Sequence, residues 1–161
     1  MCAVQAAVYA GSFDPVTNGH LDIIRRASRL FGSLTVLVMD NGAKKPLFTK
    51  EERVQLLKES LADYPHIQVA CAEGLLVDYL KKTGISTLIR GIRGPADVEP
   101  EMANDHHNHL LFNEVETVFL PARAGERYIS SSVVREIARL KGDVSSLVPA
   151  SVVKALQKKF N

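Results

Sequence analysis

The sequence has 161 residues, of which 46% are hydrophobic and 24% are charged, which is typical of one globular domain over residues 1–161. Its 20 Lys and Arg against 18 Asp and Glu give a formal charge of +2, too balanced for a protein that mainly coats nucleic acid or an anionic membrane. The two cysteines lack zinc-like spacing, no basic leader precedes Ala10, and no apolar run reaches about 20 residues; these features predict a soluble cytoplasmic protein with free thiols.

Short apolar runs alternate along the chain with segments of helical periodicity, which predicts a parallel sheet covered by helices. The predicted strands are Val4–Ala10, Leu34–Met39, Ile67–Cys71, Thr87–Arg90 and Thr117–Leu120. The predicted helices are one containing Leu21, Ile24, Ala27 and Phe31, one after the capping-box pair Thr49 and Glu52, and the segments Leu75–Lys82, Asp97–Leu111, Ser131–Leu140 and Ala150–Phe160. We therefore expect one doubly wound, Rossmann-like α/β domain with a five-stranded parallel sheet and helices on both faces. In such folds the ligands bind beyond the carboxyl ends of the strands.

A turn-rich loop follows the first predicted strand and runs from Gly11 to His20, into a helix that begins near Asn18–Leu21. Such a loop directs free backbone N–H groups and the positive end of a helix dipole toward a ligand, and phosphate suits that position. His20 falls in the first helical turn, where it can donate a hydrogen bond to a phosphoryl oxygen as negative charge develops. The alternative is that Thr17 or Asn18 only caps the helix and His20 is an ordinary surface residue.

Positively charged residues follow two further predicted strands. Lys44 and Lys45 follow the second strand, where two lysines are also typical of a solvated loop. Arg90 and Arg93 end the fourth strand and flank Gly91, which lets the backbone come close to a ligand. Planar guanidinium groups suit phosphate oxygens, although two surface arginines in a turn would give the same pattern.

A serine triplet, Ser130 to Ser132, opens the helix after the last predicted strand. Hydroxyls and free N–H groups at a helix start can bind an anion, while N-capping alone would explain one or two of these serines. The chain has neither the Gly-Lys-[Ser/Thr] ending of a Walker A loop nor a GxGxxG fingerprint. Any phosphate site is therefore of another kind.

Two of these segments resemble the signatures of one enzyme family. Residues 11–20 read Gly-Ser-Phe-Asp-Pro-Val-Thr-Asn-Gly-His, which is similar to the nucleotidyltransferase superfamily signature in its phosphopantetheine adenylyltransferase form. Residues 129–136 read Ile-Ser-Ser-Ser-Val-Val-Arg-Glu and resemble the second signature of that family. Residues 44–53 and 90–93 are similar to its Lys-Lys-Pro and Arg-Gly-[Leu/Ile]-Arg segments. The resemblance covers essentially the whole chain and is weakest over residues 95–127.

The resemblance implies a role for each matching residue. The implied catalytic residues are His20, Lys44 and Arg93. The implied ATP-binding residues are Gly11, Ser12, Phe13, His20, Gly91, Ile92, Arg93, Glu101, Tyr128, Ile129, Ser130, Ser131 and Ser132. The implied acceptor-binding residues are Ser12, Lys44, Leu76 and Arg90, although a leucine opening a helix is more often a core residue.

The chain departs from the family pattern around two of these positions. Pro100 replaces an aromatic residue before Glu101, and because proline is best placed in the first helical turn, we expect this helix to start later than in relatives. That shift would alter the position of Glu101. Glu126 and Arg127 replace an aromatic–serine pair, which is expected to change the packing of adenine without changing the reaction.

The polar stretch 104–109 also departs from the pattern. Asp105 and His109 are four residues apart and have the spacing of two metal ligands on one helical face, with His106 nearby. A solvated polar face is the simpler explanation, because nothing in the chain completes a ligand set. We therefore expect no protein-held metal.

The resemblance implies that the phosphate of 4′-phosphopantetheine attacks the α-phosphorus of ATP, with Mg²⁺ as cofactor on the departing pyrophosphate. It also implies a homohexamer and feedback inhibition by coenzyme A, without nucleic acid or membrane partners. One alternative is another adenylyl- or cytidylyltransferase, acting on nicotinamide mononucleotide or a phosphorylated alcohol. Another is a catalytically silent module that senses nucleotides.

Overall fold

The computed structural model describes residues 5–40, 42 and 45–160. The strands β1 (Ala6–Gly11), β2 (Ser33–Met39), β3 (Ile67–Ala72), β4 (Thr87–Ile92) and β5 (Glu116–Pro121) form one sheet. All pairings are parallel, in the order β3-β2-β1-β4-β5. Every predicted strand is present with small shifts at its ends, and Val4 lies outside the described residues.

The connecting segments form the helices α1 (Asn18–Leu30), α2 (Lys50–Ser60), α3 (Leu76–Thr83), α4 (Pro95–Leu111), α5 (Ser131–Arg139) and α6 (Ala150–Phe160). The predicted capping box of α2 is confirmed. The Thr49 hydroxyl accepts a hydrogen bond from the Glu52 N–H, and the Glu52 carboxylate accepts one from the Thr49 N–H at 2.8 Å. This exchange satisfies two backbone donors that the helix itself leaves unpaired.

Side chains alternate between the two faces of the sheet, and each face has its own apolar core. Ala7 and Tyr9 of β1 belong to the larger core, together with buried residues of α1, α2, α5 and α6. Val8 and Ala10 belong to the smaller core, which includes Leu80 of α3. Helices therefore cover both faces, and the doubly wound α/β fold is confirmed.

The expected late start of the helix around Pro100 is wrong. Helix α4 begins at Pro95, with Pro100 in its interior. Pro95 suits the first helical position, where a missing N–H costs nothing. Pro100 removes one backbone hydrogen bond. Two ion pairs, Asp97 with Arg93 and Glu101 with Arg90, attach the first turns of α4 to the end of β4 and favour helix here despite the proline.

The strand order reverses between β1 and β4, because β2 and β3 lie on one side of β1 while β4 and β5 lie on the other. The loops that leave β1 and β4 therefore diverge to opposite faces, which opens a crevice at the carboxyl edge of the sheet. In the ranges that the structure describes, no helix is both long and apolar enough to cross a membrane.

Candidate active site

A cavity of about 300 Å³ lies beyond the carboxyl ends of β1 and β4. Most of the residues predicted to bind ATP line it: Gly11, Ser12, Phe13, His20, Gly91, Arg93, Glu101, Ile129, Ser130, Ser131 and Ser132. Ile92 and Tyr128 are outside the lining, and Tyr128 is 84% exposed. The fold thus brings the two signature segments and the end of β4 together in one crevice.

The loop after β1 packs its aromatic residue inward. The Phe13 ring is buried and meets the rings of Tyr9 and His20 edge-on, with centroid distances of 5.3 and 5.0 Å. Phe13 has a φ of 47°, a left-handed backbone conformation that is uncommon for a residue with a side chain. A Cβ on Gly11 would lie 3.1 Å from Cζ of Phe13, so glycine leaves the room that this ring needs. Burial raises the pKa of Tyr9 to about 12, and this phenol stays protonated.

His20 is the third residue of α1, and its ring is fixed by the residue that caps the helix. The Thr17 hydroxyl accepts a hydrogen bond from the His20 N–H at 3.3 Å, and the Thr17 N–H donates to Nδ1 of His20 at 3.1 Å. Because Nδ1 is an acceptor, the proton of the neutral ring is on Nε2. Thr17 is thus the cap, as the alternative interpretation held, but His20 lines the cavity rather than the open surface.

The electrostatic surroundings keep His20 neutral. Burial, followed by the positive charges of Arg93 and Arg90, lowers its pKa from 6.5 to about 4. At neutral pH the ring therefore offers the Nε2–H as a hydrogen-bond donor without carrying a charge. A neutral donor of this kind gains strength when negative charge appears on the atom that accepts from it.

Arg90 is held in place by three hydrogen bonds. Its Nε and Nη2 donate to the Glu101 carboxylate at 2.7 and 2.6 Å, and its Nη1 donates to the Ala10 carbonyl at 2.7 Å. Burial lowers the pKa of Arg90, but the hydrogen bond and charge of Glu101 raise it above the ordinary value. The guanidinium is preorganised across the ends of β1 and β4, and Glu101 occupies one of its edges.

Arg93 is more open than Arg90. Its Nε and Nη2 donate to the Asp97 carboxylate at 3.0 and 3.1 Å, and its side chain is 47% exposed. The hydrogen bond from Arg93 lowers the pKa of Asp97. Arg127 donates from Nε to the Arg93 carbonyl at 2.6 Å, which fixes the backbone of this loop. The Arg93 guanidinium is thus paired with Asp97 but remains about half-exposed at the cavity.

The three serines make different contacts. Ser130 caps α5, since its hydroxyl accepts a hydrogen bond from the Val133 N–H at 3.2 Å. Ser131 donates to the carbonyl of Pro15 at 2.8 Å and joins α5 to the loop after β1. Ser132 lines the cavity and is exposed. Capping accounts for one serine and loop attachment for another, which leaves Ser132 best placed for a ligand.

Three charged residues behind the cavity were not among the predicted site residues. Asp14 is 3% exposed, and its carboxylate accepts from the Leu47 and Phe48 N–H groups at 2.8 and 2.9 Å. Arg135 of α5 donates to the same carboxylate at 2.8 Å. The third is Arg53 of α2, described next. Asp14 therefore joins the loop after β1, the segment before α2 and helix α5.

Arg53 is 1% exposed and has a similar role. It donates to the Ser12 carbonyl at 2.9 Å, to the Thr49 carbonyl at 3.3 Å and to the Asp40 carboxylate. Both this arginine and Asp14 stand inside the quoted family segments. Their presence there was the only sequence signal, because the contacts of Asp14 with Leu47 and Arg135 and that of Arg53 with Ser12 join residues at least 33 positions apart.

A second cavity of about 220 Å³ adjoins the first, and Arg90 and Glu101 line both. Leu76 lines it from α3, together with polar residues of α4. The Thr117 hydroxyl oxygen is buried there without a hydrogen-bond partner among the described residues. Leu76 is therefore at a cavity wall. Lys44, the remaining predicted site residue, lies outside the described residues.

The acidic groups near the cavity do not fit a resident metal ion. Within residues 5–40, 42 and 45–160, no group of three or more His, Cys, Asp or Glu residues is arranged to hold one. Of the three acidic residues in the described lining of the cavity, Asp97 and Glu101 are each paired with an arginine, which leaves Glu126 as a single carboxylate. A divalent ion suits this site only as a companion of the phosphates that it neutralises.

A crevice at the switch point of a parallel sheet, lined by a helix start, a neutral histidine donor and two arginines, is built to hold phosphate esters. The model of the cytidylyltransferase-like family matches residues 8–137, which includes every segment that lines the crevice. The chain is thus a member of the cytidylyltransferase-like class.

Individual relatives indicate which family within this class the chain belongs to. The phosphopantetheine adenylyltransferase of Alkaliphilus metalliredigens strain QYMF is 46% identical over 156 residues, covering 97% of this chain and 99% of the relative. That of Lachnoclostridium phytofermentans is 44% identical over 98% of this chain and 97% of the relative. That of Dictyoglomus thermophilum is 47% identical over 96% of this chain and 94% of the relative. The chain belongs to the phosphopantetheine adenylyltransferase family.

Proposed function

We propose that this protein transfers the adenylyl group of ATP to 4′-phosphopantetheine, giving dephospho-coenzyme A and pyrophosphate, in coenzyme A biosynthesis. The observation that carries the proposal is the pair of adjoining cavities with Arg90 on the wall between them. A nucleotide on one side and a phosphorylated acceptor on the other would meet at this arginine. The names of the relatives supply the identity of the acceptor.

The larger cavity suits ATP. The start of α1, the Nε2–H of His20 and the guanidinium of Arg93 all face a space where phosphates would lie. In the reaction, an oxygen of the acceptor phosphate bonds to the α-phosphorus while the bond from that phosphorus to the bridging oxygen breaks. The electron pair leaves with pyrophosphate. The protein supplies no nucleophile, so its contribution is positioning and stabilisation of charge on the phosphoryl oxygens.

The smaller cavity suits the acceptor. Leu76 offers an apolar wall for the pantetheine arm, while the unpaired Thr117 hydroxyl and the polar side chains of α4 can bind its amide groups. The acceptor phosphate would lie at Arg90. To take it up, Arg90 exchanges at least part of its pairing with Glu101 for the phosphate oxygens. Lys44 is proposed as a second cation for the reacting phosphates.

Mg²⁺ is proposed to enter with ATP, because two of the three carboxylates that line the cavity among the described residues have arginine partners and Glu126 alone does not make a ligand set. Its chemistry there would be neutralisation of the pyrophosphate leaving group. We further propose that the protein acts in the cytoplasm, assembles as a homohexamer and is inhibited by coenzyme A. Exposed apolar side chains on α4, at Met102, Leu110 and Leu111, support an assembly, and native mass spectrometry would count its subunits.

The alternative acceptors and the silent nucleotide sensor fit the site less well. A nicotinamide mononucleotide acceptor would need stacking partners for a second ring, but the smaller cavity is lined by aliphatic, polar and charged side chains, with His107 as its only ring among the described lining. A sensor would need no preorganised donor for a developing charge, yet His20 is held neutral with its Nε2–H available.

The decisive experiment is incubation of the protein with ATP, Mg²⁺ and 4′-phosphopantetheine, followed by mass identification of the nucleotide product and measurement of pyrophosphate. We expect dephospho-coenzyme A in a one-to-one ratio with pyrophosphate. Parallel reactions contain nicotinamide mononucleotide or a phosphorylated alcohol as acceptor. A product with either of those and none with 4′-phosphopantetheine would overturn the proposal, and binding without any turnover would favour the sensor.

A further inference from the structure

Two buried side-chain oxygens lack a hydrogen-bond partner among the residues that the structure describes, Oγ1 of Thr117 and Oε2 of Glu126. The first faces the acceptor side. Glu126 lines the larger cavity together with His20 and Arg93. A buried carboxylate oxygen without a donor is unfavourable, and native proteins rarely leave one in that state. Glu126 is therefore expected to acquire its partner from what binds in the cavity.

The backbone around Glu126 is well fixed. Its N–H donates to the Arg123 carbonyl at 3.0 Å, and its own carbonyl accepts from the Ile129 N–H at 3.2 Å. That carbonyl lies 3.5 Å from the position of a Cβ on Gly19, against the start of α1. The backbone of Glu126 is thus fixed beside the cavity, so only its side chain has to turn for the buried oxygen to reach a donor there.

The chemistry of ATP limits which group can satisfy this oxygen. At neutral pH the phosphates carry no useful donor, and their negative charge repels a carboxylate. The donors of ATP are the 6-amino group of adenine and the two ribose hydroxyls. A carboxylate accepts hydrogen bonds strongly from either kind of group.

We propose that Glu126 is a specificity-determining residue, whose carboxylate accepts a hydrogen bond from the nucleoside part of the nucleotide. The inference deepens the proposed function and rests on it for the identity of the nucleotide. A 6-amino contact would select adenine over a 6-oxo purine. A hydroxyl contact would select a ribose over the corresponding deoxyribose. Either contact would supply the donor that this one buried carboxylate oxygen lacks.

The test compares kcat/KM for ATP, inosine triphosphate, 2′-deoxyATP and 3′-deoxyATP in the wild type, Glu126→Ala and Glu126→Gln. In the wild type we expect a higher kcat/KM for ATP than for the analogue that lacks the contacted group. In Glu126→Ala this ratio should fall by about tenfold or more, either for inosine triphosphate or for a deoxy analogue but not for both. A fall against inosine triphosphate assigns the base contact, and a fall against a deoxy analogue assigns the sugar contact. For a base contact, Glu126→Gln also accepts inosine triphosphate better, since its amide donates to the 6-oxo group.

Glu114→Ala is the control, because Glu114 is exposed before the start of β5, at the opposite edge of the sheet. It should leave all four values unchanged. The inference is wrong if Glu126→Ala lowers kcat/KM for all four nucleotides by the same factor, as loss of a contact to phosphate-bound Mg²⁺ would, or leaves every preference unchanged. Calorimetric binding of the same nucleotides without acceptor gives a second readout, so that absence of dephospho-coenzyme A in the wild type would reject the proposed function while the preference at Glu126 is still measured.

Discussion

His20 combines a place in the capping box of α1 with a proposed role as a donor in the reaction. Its Nδ1 accepts from the Thr17 N–H, and this contact determines which ring nitrogen keeps the proton. A water-exposed histidine would rotate and exchange tautomers, so its donor would have to be oriented during the reaction. Here the orientation is fixed before any ligand binds.

We predict that His20→Ala lowers kcat by about 10²–10³ while the affinity for ATP changes only a few-fold, because the lost donor acts mainly on charge that develops in the transition state. Steady-state rates and direct ATP binding measure the two quantities. His20→Asn is expected to recover part of the rate if its amide reaches the same oxygen. His66→Ala, at an exposed histidine, is the control. A defect found wholly in ATP binding would make His20 a positioning residue only.

The lowered pKa of His20 also predicts a pH dependence of stability. The unfolded chain takes up this proton below the ordinary pKa of 6.5, but the folded protein does so only near 4. The stability from neutral His20 is thus fully present above pH 6.5 and is lost as the pH falls toward 4. The free energy of unfolding should drop by on the order of 3 kcal/mol more in the wild type than in His20→Asn over this interval. Equal slopes in urea titrations of the two proteins would contradict this pKa.

At the scale of elements, α4 is the least conventional part of the fold. Within the described chain it buries none of its residues, and the ion pairs of Arg90 and Arg93 attach its first turns to β4. The same arginines are the proposed phosphate ligands. The proposed substrate binding and the attachment of α4 therefore use the same two side chains.

Glu101→Gln should tighten the binding of 4′-phosphopantetheine by about three- to tenfold, because the acceptor phosphate no longer competes with a carboxylate for Arg90. Isothermal titration calorimetry measures the change. Glu99→Gln on the same helix is the control, since Glu99 is exposed and outside both cavities. Weaker acceptor binding in Glu101→Gln would show that the pair with Arg90 prepares the site rather than occupying it.

The two arginines should serve different ligands. Arg90→Ala is expected to weaken 4′-phosphopantetheine, and Arg93→Ala to weaken ATP, each by about 2–4 kcal/mol for a lost charged contact to phosphate. Dissociation constants for both ligands in both variants test the assignment. Arg123→Ala, at an exposed arginine outside the cavities, should change neither. Equal small losses for both ligands would place Arg90 and Arg93 outside the phosphate sites.

Local patterns predicted most of the elements, because strand hydrophobicity and the Thr49–Glu52 cap are decided by neighbours in sequence. The predicted start of α4 was wrong because it considered Pro100 alone, whereas the pairs of Arg90 with Glu101 and of Arg93 with Asp97 hold the turns around Pro100 in the helix. Much of the cavity lining followed from the family segments, but Asp97 and Glu126 line the cavity without having been predicted. The unpaired oxygen of Glu126 and the pairing of Glu101 with Arg90 depend on side-chain packing between distant segments, which no local pattern contains.

At the scale of the whole molecule, Asp14 connects three segments that are far apart along the chain. This carboxylate connects the β1 loop to the segment before α2 and to Arg135 of α5, over separations of up to 121 residues. Arg53 makes a parallel connection to the Ser12 carbonyl. The two signature segments are thus linked to each other behind the cavity as well as facing each other across it.

Asp14→Asn should lower the free energy of unfolding by about 2–4 kcal/mol, because it leaves the guanidinium of Arg135 without its charged partner in a partly buried position. Urea unfolding measures the loss. Arg135→Met should cost less when introduced into Asp14→Asn than into the wild type, since both changes break the same pair. Arg139→Met at the exposed end of α5 is the control and should have little effect. If the losses in the free energy of unfolding from Asp14→Asn and Arg135→Met are strictly additive, the two side chains are not coupled.

The hydrogen bonds that Asp14 accepts from the backbone have a consequence for amide exchange with solvent. The protons on the Leu47 and Phe48 nitrogens are held by a carboxylate from another part of the chain. Neither amide can exchange until the loop after β1 and the segment before α2 separate, although both lie outside any helix or strand. Their protection in deuterated water therefore reports the opening of the active-site wall, residue by residue, in the ligand-free protein.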